Sequence, residues 1–128
     1  MAKYLTQEWL DQYATLSQDQ PTRPGASVTM QYHVTGGPDG DIDYYWVLDE
    51  GRISDAKLGA HPSPGFTLNL AYDDAAKVQK GELDPSAAFM QGKMKVTGNM
   101  AKLMSLLPLT NSPEWKALEE KIRADTDF

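Results

Sequence analysis

Residues 84 to 107 read Asp84-Pro85-Ser86-Ala87-Ala88-Phe89-Met90-Gln91-Gly92-Lys93-Met94-Lys95-Val96-Thr97-Gly98-Asn99-Met100-Ala101-Lys102-Leu103-Met104-Ser105-Leu106-Leu107, and the pattern changes twice within them. Asp84 followed by proline is an N-cap with Pro at N1, which starts a short helix. Gln91-Gly92 stops it, because glycine takes up the left-handed conformation that ends helices. The period then falls to two: Met94 and Val96 alternate with Lys93, Lys95 and Thr97, as in a strand with one covered face. Gly98-Asn99 opens a further helix, which Pro108 closes. Within it Met100, Leu103, Met104 and Leu107 stand at i, i+3, i+4 and i+7, a single apolar stripe.

The same grammar extends outward. Towards the N-terminus, Phe66, Leu68 and Leu70 mark a strand, and Asp73 caps a short helix that runs to Lys80 and stops at Gly81. Val28, Met30, Tyr32 and Val34 alternate with polar residues, as do Ile42, Tyr44, Trp46 and Leu48. Gly36-Gly37-Pro38-Asp39-Gly40 joins these two runs. Asp49-Glu50-Gly51-Arg52 leads to a third strand from about Arg52 to Leu58, so the three form an antiparallel meander. A first helix begins after Thr6, with Trp9, Tyr13 and Leu16 on one face, and cannot pass Pro21 and Pro24. Towards the C-terminus, Ser112-Pro113 opens a last helix carrying Trp115. Helix, four strands, two short helices, one strand and two helices make an α+β fold, a mostly antiparallel five-stranded sheet covered by helices on one face.

The Asp84–Leu107 stretch resembles the signature of the sterol carrier protein 2 family. There, a short helix ending in a Phe-Met-Gln-Gly-Lys-like turn precedes a Lys-hydrophobic-Lys-hydrophobic strand, then Gly-Asn-Met and an apolar helix. Thr67-Leu68-Asn69-Leu70, Tyr72-Asp73-Asp74 and Lys80-Gly81-Glu82-Leu83 resemble the family's preceding run. The resemblance covers about residues 25–107. It is weakest in the N-terminal helix through Pro24 and at Leu107-Pro108-Leu109, where the chain departs from the family's usual peroxisome-targeted tail. It implies an apolar tunnel between sheet and helices, and fatty acids, acyl-CoA esters, sterols or similar lipids as ligands. It also implies that such domains occur alone or attached to a partner enzyme.

The residues are compatible with the same reading on physical grounds. Core packing is the ordinary explanation of a stripe such as Met100–Leu107. The density of Met90, Met94, Met100 and Met104 also suits a surface that accepts variable apolar shapes, and the family resemblance tips the reading from core to pocket. Trp46, Phe66, Leu68, Phe89, Met90, Gln91, Met94, Met100, Leu103, Met104 and Leu107 are therefore the expected ligand-binding residues, Gln91 as a head-group donor and the rest as walls. Ten or so buried methylenes at about 0.8 kcal/mol each supply micromolar affinity without a charged clamp.

The composition narrows the alternatives. A chain of 128 residues is long enough for one domain with a core. A net charge of −6 argues against nucleic-acid binding and against simple electrostatic attraction to anionic membranes. The absence of cysteine removes disulfides and thiolate metal sites and fits a cytoplasmic setting. No run of apolar residues is long enough for a transmembrane segment, residues 1–20 lack a signal core, and Thr126-Asp127-Phe128 is not a peroxisomal tripeptide. Neither His33 nor His61 sits in a metal or catalytic spacing. Asp39, Asp41, Asp43, Asp49 and Glu50 form an acidic, solvated edge without the ligand order of a calcium loop. The expectation is a non-enzyme without cofactor or metal. Two minor readings stand beside it: an accessory subunit that feeds a partner enzyme, and a small enzyme using His61 or Tyr45.

Overall fold

The structure, a computed structural model, describes residues 2–38 and 40–128, with the side chains of Ser86 and Leu107 set aside. Asp39 of the expected acidic edge and the Leu107 side chain as a pocket wall thus lie outside the described residues. The elements in chain order are β1 (Ala2–Lys3), α1 (Gln7–Ser17), β2 (Val28–Gly37), β3 (Gly40–Asp49), β4 (Arg52–Leu58), β5 (Phe66–Ala71) and α2 (Tyr72–Gln79). There follow α3 (Pro85–Met90), β6 (Met94–Gly98), α4 (Met100–Ser105), α5 (Leu107–Thr110), α6 (Pro113–Ala124) and β7 (Thr126–Asp127).

Five strands form one sheet in the order β4-β3-β2-β5-β6. Neighbours are antiparallel except the central pair β2 and β5, which run parallel with Met30 opposite Phe66 and Tyr32 opposite Leu68. β2, β3 and β4 are the expected meander. A short connection, residues 59–65, then carries the chain from the outer edge β4 past β3 and β2 to β5. Gln31, buried on the sheet face away from the helices, holds that connection. Its Nε2 donates to the Gly59 carbonyl at 3.1 Å and to the Tyr44 carbonyl at 3.0 Å, and its Oε1 accepts from the His61 N–H at 2.8 Å. A buried amide with its donors and acceptor all engaged is a specific tie.

The edge strand β4 is protected by α1. Ser17 Oγ accepts from the Ile53 N–H at 3.0 Å, and Gln18 Nε2 donates to the Ile53 carbonyl at 2.8 Å. About three turns earlier on the helix, Gln7 donates to the Ala56 carbonyl at 2.8 Å and accepts from the Leu58 N–H at 3.2 Å. Polar side chains of the helix thus stand in for a missing neighbouring strand. The helix also buries Trp9, Leu10 and Tyr13.

Caps appear where the sequence places them. Thr6, Asp84, Asn99 and Ser112 each accept a hydrogen bond from the backbone N–H three residues on. Two details differ from expectation. α2 starts at Tyr72 with Ala71 in the cap position and no side-chain cap, so Asp73 lies inside the first turn, where it meets the helix dipole. Pro108 does not close α4, which ends at Ser105. It sits at the second position of α5, where a missing N–H costs nothing. A pairing with no expectation behind it joins β1 to β7 in parallel, Ala2 beside Thr126, through Ala2 N–H to the Asp125 carbonyl and Tyr4 N–H to the Asp127 carbonyl.

Candidate functional site: the cavity under the helices

Strand alternation sends Met30 and Tyr32 of β2, Tyr44, Trp46 and Leu48 of β3, and Leu68 and Leu70 of β5 to the same face of the sheet. They form the floor of a cavity of about 220 Å³. The roof comes from Tyr13 of α1, Ala75 and Val78 of α2, Leu103 of α4, and Trp115 and Glu119 of α6. Met94 closes the side beneath the sheet edge. The lining is apolar with a few polar groups, the usual make-up of a small-molecule site.

Aromatic rings dominate one wall. Tyr32 stacks on Tyr44 with centroids 4.6 Å apart and planes 8° from parallel. Tyr13 lies 4.6 Å from Trp46, and Trp115 approaches both at 6.5 and 6.4 Å. Burial pushes the phenols of Tyr4, Tyr13, Tyr32 and Tyr44 well above their ordinary value, so all four remain neutral hydrogen-bonding groups. Trp46 Nε1–H and Tyr4 Oη are buried and make no hydrogen bond with the described protein groups, although both residues line the cavity. A buried donor left unpaired costs about 1–3 kcal/mol.

Glu119 faces Tyr13 and Tyr32. Burial raises its carboxyl pKa. Arg123, a hydrogen bond with Trp115 and Lys116 oppose that rise without cancelling it. A carboxyl whose value is raised on folding favours the fold when protonated. Its stabilising contribution is complete below the ordinary value of 4.5 and disappears as pH rises through the raised value. Glu119→Gln is therefore expected to melt at higher temperature than the wild type at neutral pH and at nearly the same temperature near pH 4. Thermal melts at the two pH values check this.

The expected site residues divide between the cavity and its surroundings. Trp46, Leu68, Met94 and Leu103 are brought together in the lining. Phe66 is fully buried in the core beside Gly98, and the structure places Phe89, Met90, Gln91, Met100 and Met104 on the surface, away from the lining. For Met100 and Met104 the reason is the rotation of α4. Leu103 and Leu106 turn inward at a spacing of three, which swings Met100 and Met104 to exposures of 41% and 58%. Tyr4, Tyr13, Trp115 and Glu119 were missed as lining residues. The i, i+4 pairs Trp9–Tyr13 and Trp115–Glu119 mark the helix faces concerned, but nothing local shows that those faces meet.

The two histidines lie on the other side of the sheet. His33 Nδ1 is 2.5 Å from Asp43 Oδ1, across the β2–β3 pair. His61 packs its ring edge-on against Tyr45 at 5.0 Å and accepts from the Ser63 N–H through Nδ1. Among the described residues no group of three or more His, Cys, Asp or Glu is placed to hold a metal ion. No helix among them is long and apolar enough to cross a membrane.

A five-stranded mixed sheet roofed by helices over an apolar cavity defines an α+β class. Residues 8–111 match the SCP-2 sterol transfer family, and the chain belongs to that family, which supports lipid binding and transfer in general terms. Sterol carrier protein 2 of Oryctolagus cuniculus is 33% identical over 86 residues, which is 64% of this chain and 15% of that protein. Non-specific lipid-transfer protein-like 1 of Caenorhabditis elegans is 40% identical over 50 residues, 39% of this chain and 42% of that one. Protein TT1886 of Thermus thermophilus has the same fold, with a TM-score of 0.74 at 18% identity, covering 100% of this chain and 93% of that chain.

Proposed function

We propose that residues 1–128 act as one lipid-binding unit in the cytoplasm, holding a single apolar molecule in the cavity between sheet and helices. The molecule is carried or presented, and the chain itself does no chemistry on it. The observation that carries this reading is the apolar cavity, whose lining includes Trp46, a residue with a buried indole N–H that makes no hydrogen bond with the described protein groups. The indole is a donor only, so its complement is a lipid bearing an acceptor oxygen. Glu119 and Asp84 stand on the lining with Lys116 as the cation among them, which disfavours a buried carboxylate head and favours a neutral carbonyl or hydroxyl. Family membership and the name of the nematode relative support lipid transfer in general terms.

The test is titration of the protein with hexadecane, hexadecanol, a long-chain methyl ketone and palmitate, following the three indole N–H resonances by NMR. We expect the alcohol and the ketone to bind and to move one indole proton downfield, a signal absent from Trp46→Phe. In that variant the preference for ketone over hydrocarbon should narrow about fivefold. Binding of all four ligands without an indole shift would keep the cavity and remove the oxygen preference. Binding of none would remove the lipid reading.

The rabbit relative favours a second reading, because there the matching segment is a small part of a much longer protein. In this version the chain presents lipid to an attached or associated enzyme, and a stoichiometric complex seen by light scattering would support it.

A further inference from the structure

We propose that the free edge of β6 takes up a strand from a partner protein, an extended segment in which carboxylate and apolar side chains alternate. The two edges of the sheet are finished differently. At one end β4 is sealed: main-chain groups of Ile53, Ala56 and Leu58 are engaged by Ser17, Gln18 and Gln7 of α1. At the other end β6 pairs with β5 alone.

Ladder geometry shows what this edge offers. Asn99 N–H donates to the Gly65 carbonyl at 2.9 Å, and Asn69 Nδ2 donates to the Lys95 carbonyl at 3.3 Å. These contacts set the alternation of the antiparallel pair: Lys95 and Thr97 turn their main-chain groups toward β5, and Met94 and Val96 turn theirs outward. Among the described residues no loop or side chain takes up those outward groups. A row of unpaired N–H and C=O groups is a template for one more strand.

Side chains select which strand fits. Lys95 and Thr97 are exposed on one face of β6, and Met94 and Val96 are half-buried on the other. Lys93 stands exposed just before the strand, and from Pro85 to Pro113 the chain contains no Asp or Glu. The complement is therefore a strand with carboxylates on the Lys95 face and apolar side chains beside Met94 and Val96. A second copy of this chain would bring its own β6 lysines to the junction, where like charges oppose pairing. The lysine also discourages neutral and basic strands, the usual defence of an edge; an acidic strand turns the same charge into attraction. Met94 belongs to the cavity lining, so the added strand would run along the side of the cavity and bring the partner to the place where an apolar molecule is held.

The experiment is an NMR titration of the full chain, without lipid, using three synthetic peptides of about eight residues. One alternates valine and glutamate, one alternates valine and lysine, and the third is the glutamate peptide N-methylated at every second residue. We expect the glutamate peptide to bind at millimolar concentration or below, to shift the β6 amides while leaving those of β4 unmoved, and to slow exchange of the Met94 and Val96 amides. The lysine peptide should bind at least about tenfold more weakly. Methylation on the side that faces β6 should abolish binding, because it removes the strand donors. Lys95→Gln should weaken the glutamate peptide about threefold. Val96→Pro deletes an outward N–H that the sheet does not use and should weaken it about tenfold. The methylated peptide and Lys95→Gln keep the test open if Val96→Pro does not fold. A glutamate peptide that fails to bind at millimolar concentration overturns the proposal, as does equal binding of the lysine peptide or of both methylated forms. Self-association of the free chain that Lys95→Gln strengthens and the glutamate peptide displaces would make a second copy the occupant and overturn the acidic partner. The outcome is separate from that of the lipid titration, because the edge is the same whether the cavity is filled or empty.

Discussion

Leu103→Trp is expected to lower lipid affinity by roughly fiftyfold while leaving the melting temperature nearly unchanged. Leu103 projects from α4 into the cavity and is only half-buried. An indole there fills empty space without displacing packed neighbours, so the usual cost of overpacking, about 1–3 kcal/mol, is largely avoided. The ring occupies the volume of about three ligand methylenes, and at about 0.8 kcal/mol each their loss is worth roughly fiftyfold. Calorimetric titration with the tightest ligand of the panel, beside a thermal melt, separates the two effects. Unfolding would mean that the space is tight core. Unchanged affinity would place the ligand elsewhere. Met104→Trp, one residue further along the same helix but 58% exposed, should leave affinity for the cavity ligand as it is.

Gly98→Ala is expected to destabilise the fold by about 3 kcal/mol. Gly98 ends β6 opposite Phe66, with φ at +107°, a region that L side chains rarely adopt. A Cβ at this position would stand 2.8 Å from the Phe66 Cα and 2.9 Å from the Gly65 carbonyl oxygen. Both are backbone atoms and neither can turn aside. The Gly65 oxygen also accepts from the Asn99 N–H at 2.9 Å, so any shift would strain the start of α4. Gly92 is the control. Its φ is +75° but a Cβ there meets nothing within 4 Å, so Gly92→Ala should cost only about 1 kcal/mol. Urea unfolding of the two variants would check the difference. For a chain of this size the Gly98 effect corresponds to a fall of roughly 10 °C in melting temperature.

The contrast between these glycines shows what the sequence could and could not disclose. Strands with one covered face announce themselves by alternation, so Met30, Tyr32, Tyr44, Trp46 and Leu68 were assignable to the inner face from their spacing. Helix starts were equally plain, because capping is local chemistry: Asp84-Pro85 and Ser112-Pro113 state their own geometry. The rotation of α4 was not local. Met100, Leu103, Met104 and Leu107 satisfy helical spacing for any viewing angle within that stripe, and the packing of Leu106 against the rest of the core decides which side turns in. Methionine density suggested adaptable contact, but not whether that contact was inside or outside. The parallel placement of β5 beside β2 depends on Gln31 gripping a loop some 30 residues away, and single-residue patterns carry no record of such a tie. The β1–β7 pair is less legible still, since two-residue strands have no period to detect.

That last pair has a mechanical consequence. Ala2 lies beside Thr126 and Lys3 beside Asp127 in parallel, so a pull applied between the two ends draws the strands past one another along their length. The load falls first on two backbone hydrogen bonds, Ala2 to Asp125 and Tyr4 to Asp127, which share it in shear instead of opening one after the other. Until that clasp yields, the tension is carried across one corner of the molecule and never reaches the strands beneath the cavity.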